Sequence, residues 1–300
     1  MIQALEAVHL SKQYARKWAL HDCTLQIPIG CIAGLVGPNG AGKTTLLNLA
    51  TGLLNPSHGS ITVLGHKPGK DIKQLLPRIG FVSQEHPLYK TFTVREMLKI
   101  GQKLNPQWNQ EMALQRLERL SIPLHQSTGK LSGGQQAQVA LILALAKQPE
   151  LLILDEPVAS LDPLARREFQ QTLMEAVAER GISVIISSHI VADLERFCDY
   201  LVILSASRVQ MTARVEHLLQ FHKLLIGPRE RIESLARTHT ILTSSSTGRQ
   251  CTLLVQMHSP VLDPAWEVRS VSLEDIILAY LAQSNIAMVG QDAKKLEVTR

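Results

Sequence analysis

Residues 31–54 read CIAGLVGPNGAGKTTLLNLATGLL, and this stretch decides the fold. An apolar run, CIAGLV, meets a glycine-rich turn made of Gly37, Pro38, Asn39, Gly40, Ala41, Gly42, Lys43, Thr44 and Thr45, and a helix-like apolar segment follows. Strand, loop and helix in that order form a phosphate-binding loop. Glycines at 37, 40 and 42 let the backbone turn its N–H groups inward around phosphate oxygens, while the helix behind them directs its positive end at the same point. Lys43 supplies the charge that β- and γ-phosphates need, and the Thr44 hydroxyl is placed to ligate Mg²⁺.

A second apolar run, LLILDEP (151–157), ends in two carboxylates. A buried strand of this kind places Asp155 where it can hold Mg²⁺ through its water shell. Glu156, the next residue, is the candidate base that orients or deprotonates an attacking water. The runs at 31–37, 151–155 and 183–189 (SVIISSH) are apolar without alternation, as strands of a parallel sheet buried on both faces must be. They predict an α/β core.

Further out, β-rich runs at 4–10, 18–27 and 60–64 predict a small antiparallel sheet around the start of the chain. Residues 85–147 read as helical, with Thr93 capping one segment and Asn109 opening another whose Met112, Leu117 and Leu120 share a face. Beyond about Arg214 the pattern weakens, and THTILTSS (238–245) and QCTLLVQM (250–257) predict two strands joined by a Ser/Thr/Gly turn. The expected organisation is therefore a main unit over 1–213, interrupted by the helical insertion, and a separate small unit over 214–300.

Composition narrows the function classes. The 300 residues are 45% hydrophobic and 19% charged, values of an ordinary globular protein rather than a disordered one. The longest apolar run, Val139 to Ala146, has eight residues, against roughly 20 for a spanning helix. The N-terminus lacks a basic start and a long apolar stretch, so no signal peptide is expected and the chain is predicted to stay in the cytosol. Four widely spaced cysteines, Cys23, Cys31, Cys198 and Cys251, read as reduced, buried thiols. The formal charge of +5 is scattered along the chain, and residues 221–300 carry nine Lys/Arg against eight Asp/Glu, so no nucleic-acid partner is expected.

LSGGQQ (131–136) resembles the signature sequence of ATP-binding-cassette (ABC) proteins, and it stands between the phosphate loop and Asp155 in the family's order. The helical stretch from Gln135 to Lys147 separates it from Asp155 by about 20 Å at the usual rise. The resemblance implies that Ser132, Gly133 and Gly134, with Gln135 beside them, contact the γ-phosphate of ATP held by a second cassette, so that two chains form a head-to-tail sandwich. Other positions match one by one. Tyr14, in SKQYARKWAL, resembles the aromatic that stacks on adenine, and Gln84, in GFVSQEHPLY, resembles the glutamine that meets Mg²⁺ and the attacking water. Asp162, in ASLDP, resembles the fixed carboxylate of a loop at the dimer interface, and His189 resembles the switch histidine that bonds the γ-phosphate.

What the resemblance implies is a nucleotide-binding subunit that hydrolyses MgATP for separate transmembrane permease subunits, peripheral on the inner face of the cell membrane. The implied fold is a P-loop NTPase core with a mainly parallel sheet, an antiparallel β subdomain, a helical signature subdomain over about 85–147 and a small C-terminal α+β extension. IGFVSQEHPLYKTFTVREML (79–98), DEPVASLDPLARREF and the tail VRSVSLEDIILAYL resemble exporters whose membrane partners are separate polypeptides. In that tail Ser272 and Asp275 have capping-box spacing, and Ile276, Ile277, Tyr280 and Leu281 fall on one helical face, which predicts a helix that docks the tail. One departure stands out: Gln138 and Leu143 occupy positions where arginines are common in the family. The alternative reading is an ABC ATPase that acts as a regulator or an ATP-gated clamp without a transporter. The intact Glu156 and His189 and the single cassette with a short insertion argue against it.

Overall fold

The computed structural model describes residues 2–283. The N-terminal runs pair antiparallel as β1 (Gln3–Tyr14) and β2 (Lys17–Pro28) around a turn at Ala15 and Arg16. Leu5 and Ala7 face inward by alternation, and His9, with φ 49°, then breaks the register so that Leu10 also turns inward. The chain next forms β3 (Ile32–Val36) and α1 (Lys43–Ala50), and β4 (His58–Val63) returns to the free side of β1, giving a three-stranded sheet in the order β2-β1-β4.

A short helix, α2 (Ile72–Leu75), leads to β5 (Ile79–Val82), a strand that the apolar pattern alone does not single out. The helical insertion follows as α3 (Val94–Leu104), α4 (Gln110–Arg119) and α5 (Gly133–Ala146). Thr93 caps α3 in a full capping box with Glu96, and the Asn109 side chain accepts from the Met112 amide at the start of α4. Residues 85–93 are not helical as expected: Pro87 has no amide to give a helix, and His86 sits at φ 44°. Val94, Leu98, Leu117, Val139 and Ile142 close a core belonging to the insertion itself.

The remaining strands are β6 (Leu151–Asp155), β7 (Ser183–Ser188), β8 (Tyr200–Ser205) and β9 (Arg208–Arg214), with α6 (Pro163–Arg180) and α7 (Val191–Glu195) between them. Their sheet has the order β5-β6-β7-β3-β8-β9, parallel from β5 to β8 with β9 antiparallel at the edge. Every residue of β3, β6 and β7 is buried, which is why these three read as solid apolar runs.

The tail holds more than the expected hairpin. After α8 (Val215–Phe221), β10 (His222–Pro228) and α9 (Ile232–Ala236) precede the two anticipated strands, β11 (Thr240–Thr247) and β12 (Gln250–Gln256), and β13 (Glu267–Arg269) follows. The sheet order is β11-β12-β10-β13. One face has its own core, with Leu225, Cys251, Leu253, Val255 and Trp266. The other face meets a last helix, α10 (residues 273–283), through Leu242, Leu254 and Ala279. Ile276 and Ile277 on that helix are fully buried in one apolar cluster with Phe169 and Leu194 of the main unit, so α10 joins the two cores. All four cysteines are free and buried, and burial pushes the Cys31 thiol up to about 11. Among the described residues no helix is long and apolar enough to cross a membrane.

Candidate functional site

Sheet order brings the motifs together. β7 lies between β3 and β6, so the turn after β3, the carboxylates ending β6 and the histidine after β7 all emerge at one carboxyl edge. The register places Ser187 opposite both Leu35 of β3 and Asp155 of β6. At that edge a cavity of about 500 Å³ is lined by Tyr14, Asn39, Gly40, Gly42, Lys43, Thr44, Thr45, Gln84, Glu156 and His189. Ten residues singled out in the sequence therefore share one space, and its volume falls in the range of small-molecule sites, roughly 300–1,000 Å³.

The phosphate loop is built as its glycines require. Gly42 stands at the N-cap of α1 with φ 109°, and the helix start has no side-chain cap, which leaves its first amides for an anion. A methyl group at position 37 would collide with the Leu204 carbonyl, so Gly37 is needed for close packing of the loop on β8. Lys43 is buried; its ammonium donates to the carbonyls of Gly37 at 2.8 Å and Pro38 at 3.3 Å and lies 3.2 Å from Glu156 Oε1.

Glu156 is the hub of the site. Its side chain is 10% exposed, and Oε2 accepts from His189 Nδ1 at 2.7 Å while Oε1 faces Lys43. Burial acts to raise its pKa, but the hydrogen bonds and charges of His189 and Lys43 outweigh burial and hold the carboxyl below its ordinary 4.5. The backbone at Glu156 is left-handed, with φ 44°. Ser187 steadies that turn: its hydroxyl accepts from the Glu156 amide at 2.8 Å and donates to Asp155 Oδ1 at 2.7 Å. Asp155 is 2% exposed and is not part of the cavity lining, although the next residue, Glu156, is.

Sequence reasoning missed Ser187, although SVIISSH contains it, because nothing in a single strand tells which hydroxyl will face a neighbour's carboxylate. It also missed Lys17 and Trp18, which line the cavity from the β1–β2 hairpin beside Tyr14. Tyr14 is half exposed, with Lys12 Nζ 5.4 Å from its ring centroid. The basic residues around Tyr14 were the only available signal.

The signature lies elsewhere. Ser132 to Gln135 begin α5, and Asp162 begins α6; neither set lines the cavity. Ser132 and Gln135 form a reciprocal capping box, with bonds of 3.2 and 3.1 Å, and Gly134 packs so closely on Ala165 that a side chain there would clash. Asp162 accepts from the amides of Leu164 and Ala165, both at 3.0 Å, and thus serves α6 as its N-cap. Of the two unusual positions, Gln138 is 3% exposed with no partner for either amide atom among the described residues. Leu143 lines a second cavity of about 630 Å³, between the insertion and the core, together with Leu53, Leu76, Phe81, Ile100 and Trp108.

Residues 20–159 match the sequence profile described as ABC transporter. The Nod factor export ATP-binding protein I of Rhizobium johnstonii is 36% identical over 222 residues, 72% of this chain and 71% of that protein. The chain belongs to the ABC transporter ATP-binding family. As an ABC cassette it is an ATP-binding ATPase subunit. Similarity extends to the phosphonates import ATP-binding protein PhnC 1 of Rhodopseudomonas palustris, 36% identical over 68% of this chain and 80% of the relative. The ABC transporter ATP-binding protein YtrB of Bacillus subtilis is 27% identical over 92% of this chain and 97% of its own, so that similarity takes in the tail. Among solved structures, a dimeric bacterial ABC transporter cassette superposes with a TM-score of 0.63 at 25% identity, covering 70% of this chain and 98% of that one.

Proposed function

We propose that this ABC cassette is half of an ATPase in an exporter: it binds MgATP at the Lys43 cavity, completes the site with the signature of a second cassette, and drives separate transmembrane subunits. The observation that carries this reading is the separation just described. Lys43, Glu156 and His189 converge on one cavity, while Ser132 to Gly134 open a different helix, with Ser132 and Gly133 exposed. A signature directed at phosphate therefore belongs to another molecule's nucleotide.

On this reading each residue within one half-site has a role. Tyr14 offers an exposed π face to adenine, and the α1 amides with Lys43 receive the β- and γ-phosphates. The Lys43 ammonium leaves Glu156 for phosphate on binding, which frees Glu156 Oε1 to accept a proton from the attacking water. His189, anchored to Oε2, presents its remaining ring nitrogen toward the γ-phosphate. Thr44, Gln84 and Asp155 offer oxygen donors only, and among the described residues no three acidic, imidazole or thiol groups form a protein-only metal cage. That donor set suits Mg²⁺, which takes its other ligands from phosphate and water and would neutralise charge on the transferred group.

On the same reading the second cavity, walled by Leu53, Leu76, Leu143 and Trp108, is assigned to the membrane partner; Ser83 lines it while the next residue, Gln84, lines the nucleotide cavity. Export is favoured over import by the resemblance in 79–98 and in the tail; the chain would then sit on the inner face of the membrane through that partner. The test is the dependence of ATPase rate on enzyme concentration. A sandwich requires a rate per chain that rises with concentration, and Glu156→Gln should accumulate an ATP-bound dimer in size-exclusion chromatography. A constant rate per chain from a proven monomer would refute the shared site.

A further inference from the structure

His189 is carried by a short segment with little stability of its own. The turn after β7 is closed by the Ser188 hydroxyl, which accepts from the Ile190 amide at 3.0 Å and donates to the Ile190 carbonyl at 3.2 Å. α7 follows at once, with five residues, too few for an isolated helix to persist. Its position is therefore set by what it packs against: Leu194 sits over Gly34 of β3 on one side, and α10 packs in the same apolar cluster. Leu194 is fully buried in one apolar cluster with Leu273, Ile276 and Ile277. Glu195, the last residue of α7, accepts from the Leu273 amide at 3.2 Å through Oε1. Leu273 is the first residue of α10, so this carboxylate satisfies one of the amides that a helix leaves open at its start, with the sign that the helix dipole favours. Ser272 closes another, accepting from the Asp275 amide at 3.1 Å.

We propose that Glu195 is a positioning residue for ATP hydrolysis: by capping α10 it fixes α7, and α7 fixes the aim of His189 at Glu156. The tail thereby sets the rate of the chemical step and not the affinity for nucleotide. The same face of α10 carries Tyr280, which packs against both clusters and whose hydroxyl lies 3.1 Å from His222 Nε2 of β10, so displacement of the tail sheet is transmitted to the same helix. The inference rests on the role given to His189 above.

The test compares wild type, Glu195→Ala, His189→Ala and the double variant for kcat and KM with ATP. Glu195 is exposed, so its truncation removes the cap without opening the core. Glu195→Ala is expected to lower kcat about 3- to 10-fold at unchanged KM. Glu195→Gln, which keeps the acceptor, should recover most of the rate, and Glu195→Asp, which withdraws it by one methylene, should not. The double variant should be no slower than His189→Ala. Losses that multiply in the double variant, an unchanged kcat in Glu195→Ala, or equal rates for Ala and Gln overturn the relay. A wild-type kcat in His189→Ala removes the role of His189 itself, and the relay with it.

Discussion

Replacing Ser187 by alanine tests the core of the site in one atom. The side chain is fully buried, and its hydroxyl joins the Asp155 carboxylate at 2.7 Å to the Glu156 amide at 2.8 Å. A hydrogen bond to a charged acceptor contributes about 1.5–3 kcal/mol, and an amide left unpaired in the interior costs about 1–3 kcal/mol. The affected amide belongs to a residue at φ 44°, a conformation that persists only while neighbouring contacts hold it. We expect Ser187→Ala to lose about 2.5–6 kcal/mol, a large share of the roughly 5–15 kcal/mol typical of a folded domain. Urea unfolding of the nucleotide-free protein should show a lower midpoint at constant slope. ATPase kcat should fall at least about tenfold, because both acidic groups lose their support. Ser187→Cys fills the space with a weak donor, so it should remain close to alanine if the bonds and not the volume are responsible. Stability within about 1 kcal/mol of wild type, together with normal kcat, would refute the reasoning.

Two further expectations follow from buried polar groups. Gln138→Met removes an amide with no partner among the described residues while keeping the chain length, so unfolding stability should rise by about 1–2 kcal/mol; a loss would mean that the amide is satisfied. For Glu156, the folded carboxyl titrates below its ordinary 4.5, so its stabilising contribution is complete above the unfolded value and disappears as pH falls through the folded one. Acidification below about pH 4.5 should therefore weaken the nucleotide-free wild type more than Glu156→Gln in chemical denaturation. Equal acid losses in the two proteins would remove the ion pair from the account.

The chain shows plainly which features can be read in advance. Residues 31–54 announce strand, loop and helix because each piece obeys a local rule: burial on both faces for Ile32 to Val36, left-handed backbone at Gly42, a helix start without a cap. Thr93 and Asn109 mark helix starts for the same reason, since capping is a contact between near neighbours. Short β5 and β10 escaped, because apolar runs of three or four residues, as in IGFV and LLIG, do not distinguish a strand until a neighbour pairs with it. The helical reading of 85–93 failed at Pro87 and His86, where backbone sterics override the surrounding pattern.

By itself the sequence marked the phosphate loop with Lys43 and the strand-end carboxylates Asp155 and Glu156 through residue type at fixed short spacing, while the family and the candidate His189 came from resemblance of ordered motifs. Only the tertiary structure decided that Ser187 ties Asp155 to Glu156, that Gln138 is buried without a partner among the described residues, and that α10 reaches from the tail to the segment after His189. Each of these is set by strand register or by packing between segments 30 to 80 residues apart, as in Glu156 with Ser187 and Glu195 with Leu273. The physical reason is that a side chain's partner across a sheet or between helices depends on how whole elements are stacked, which no local pattern of residues encodes.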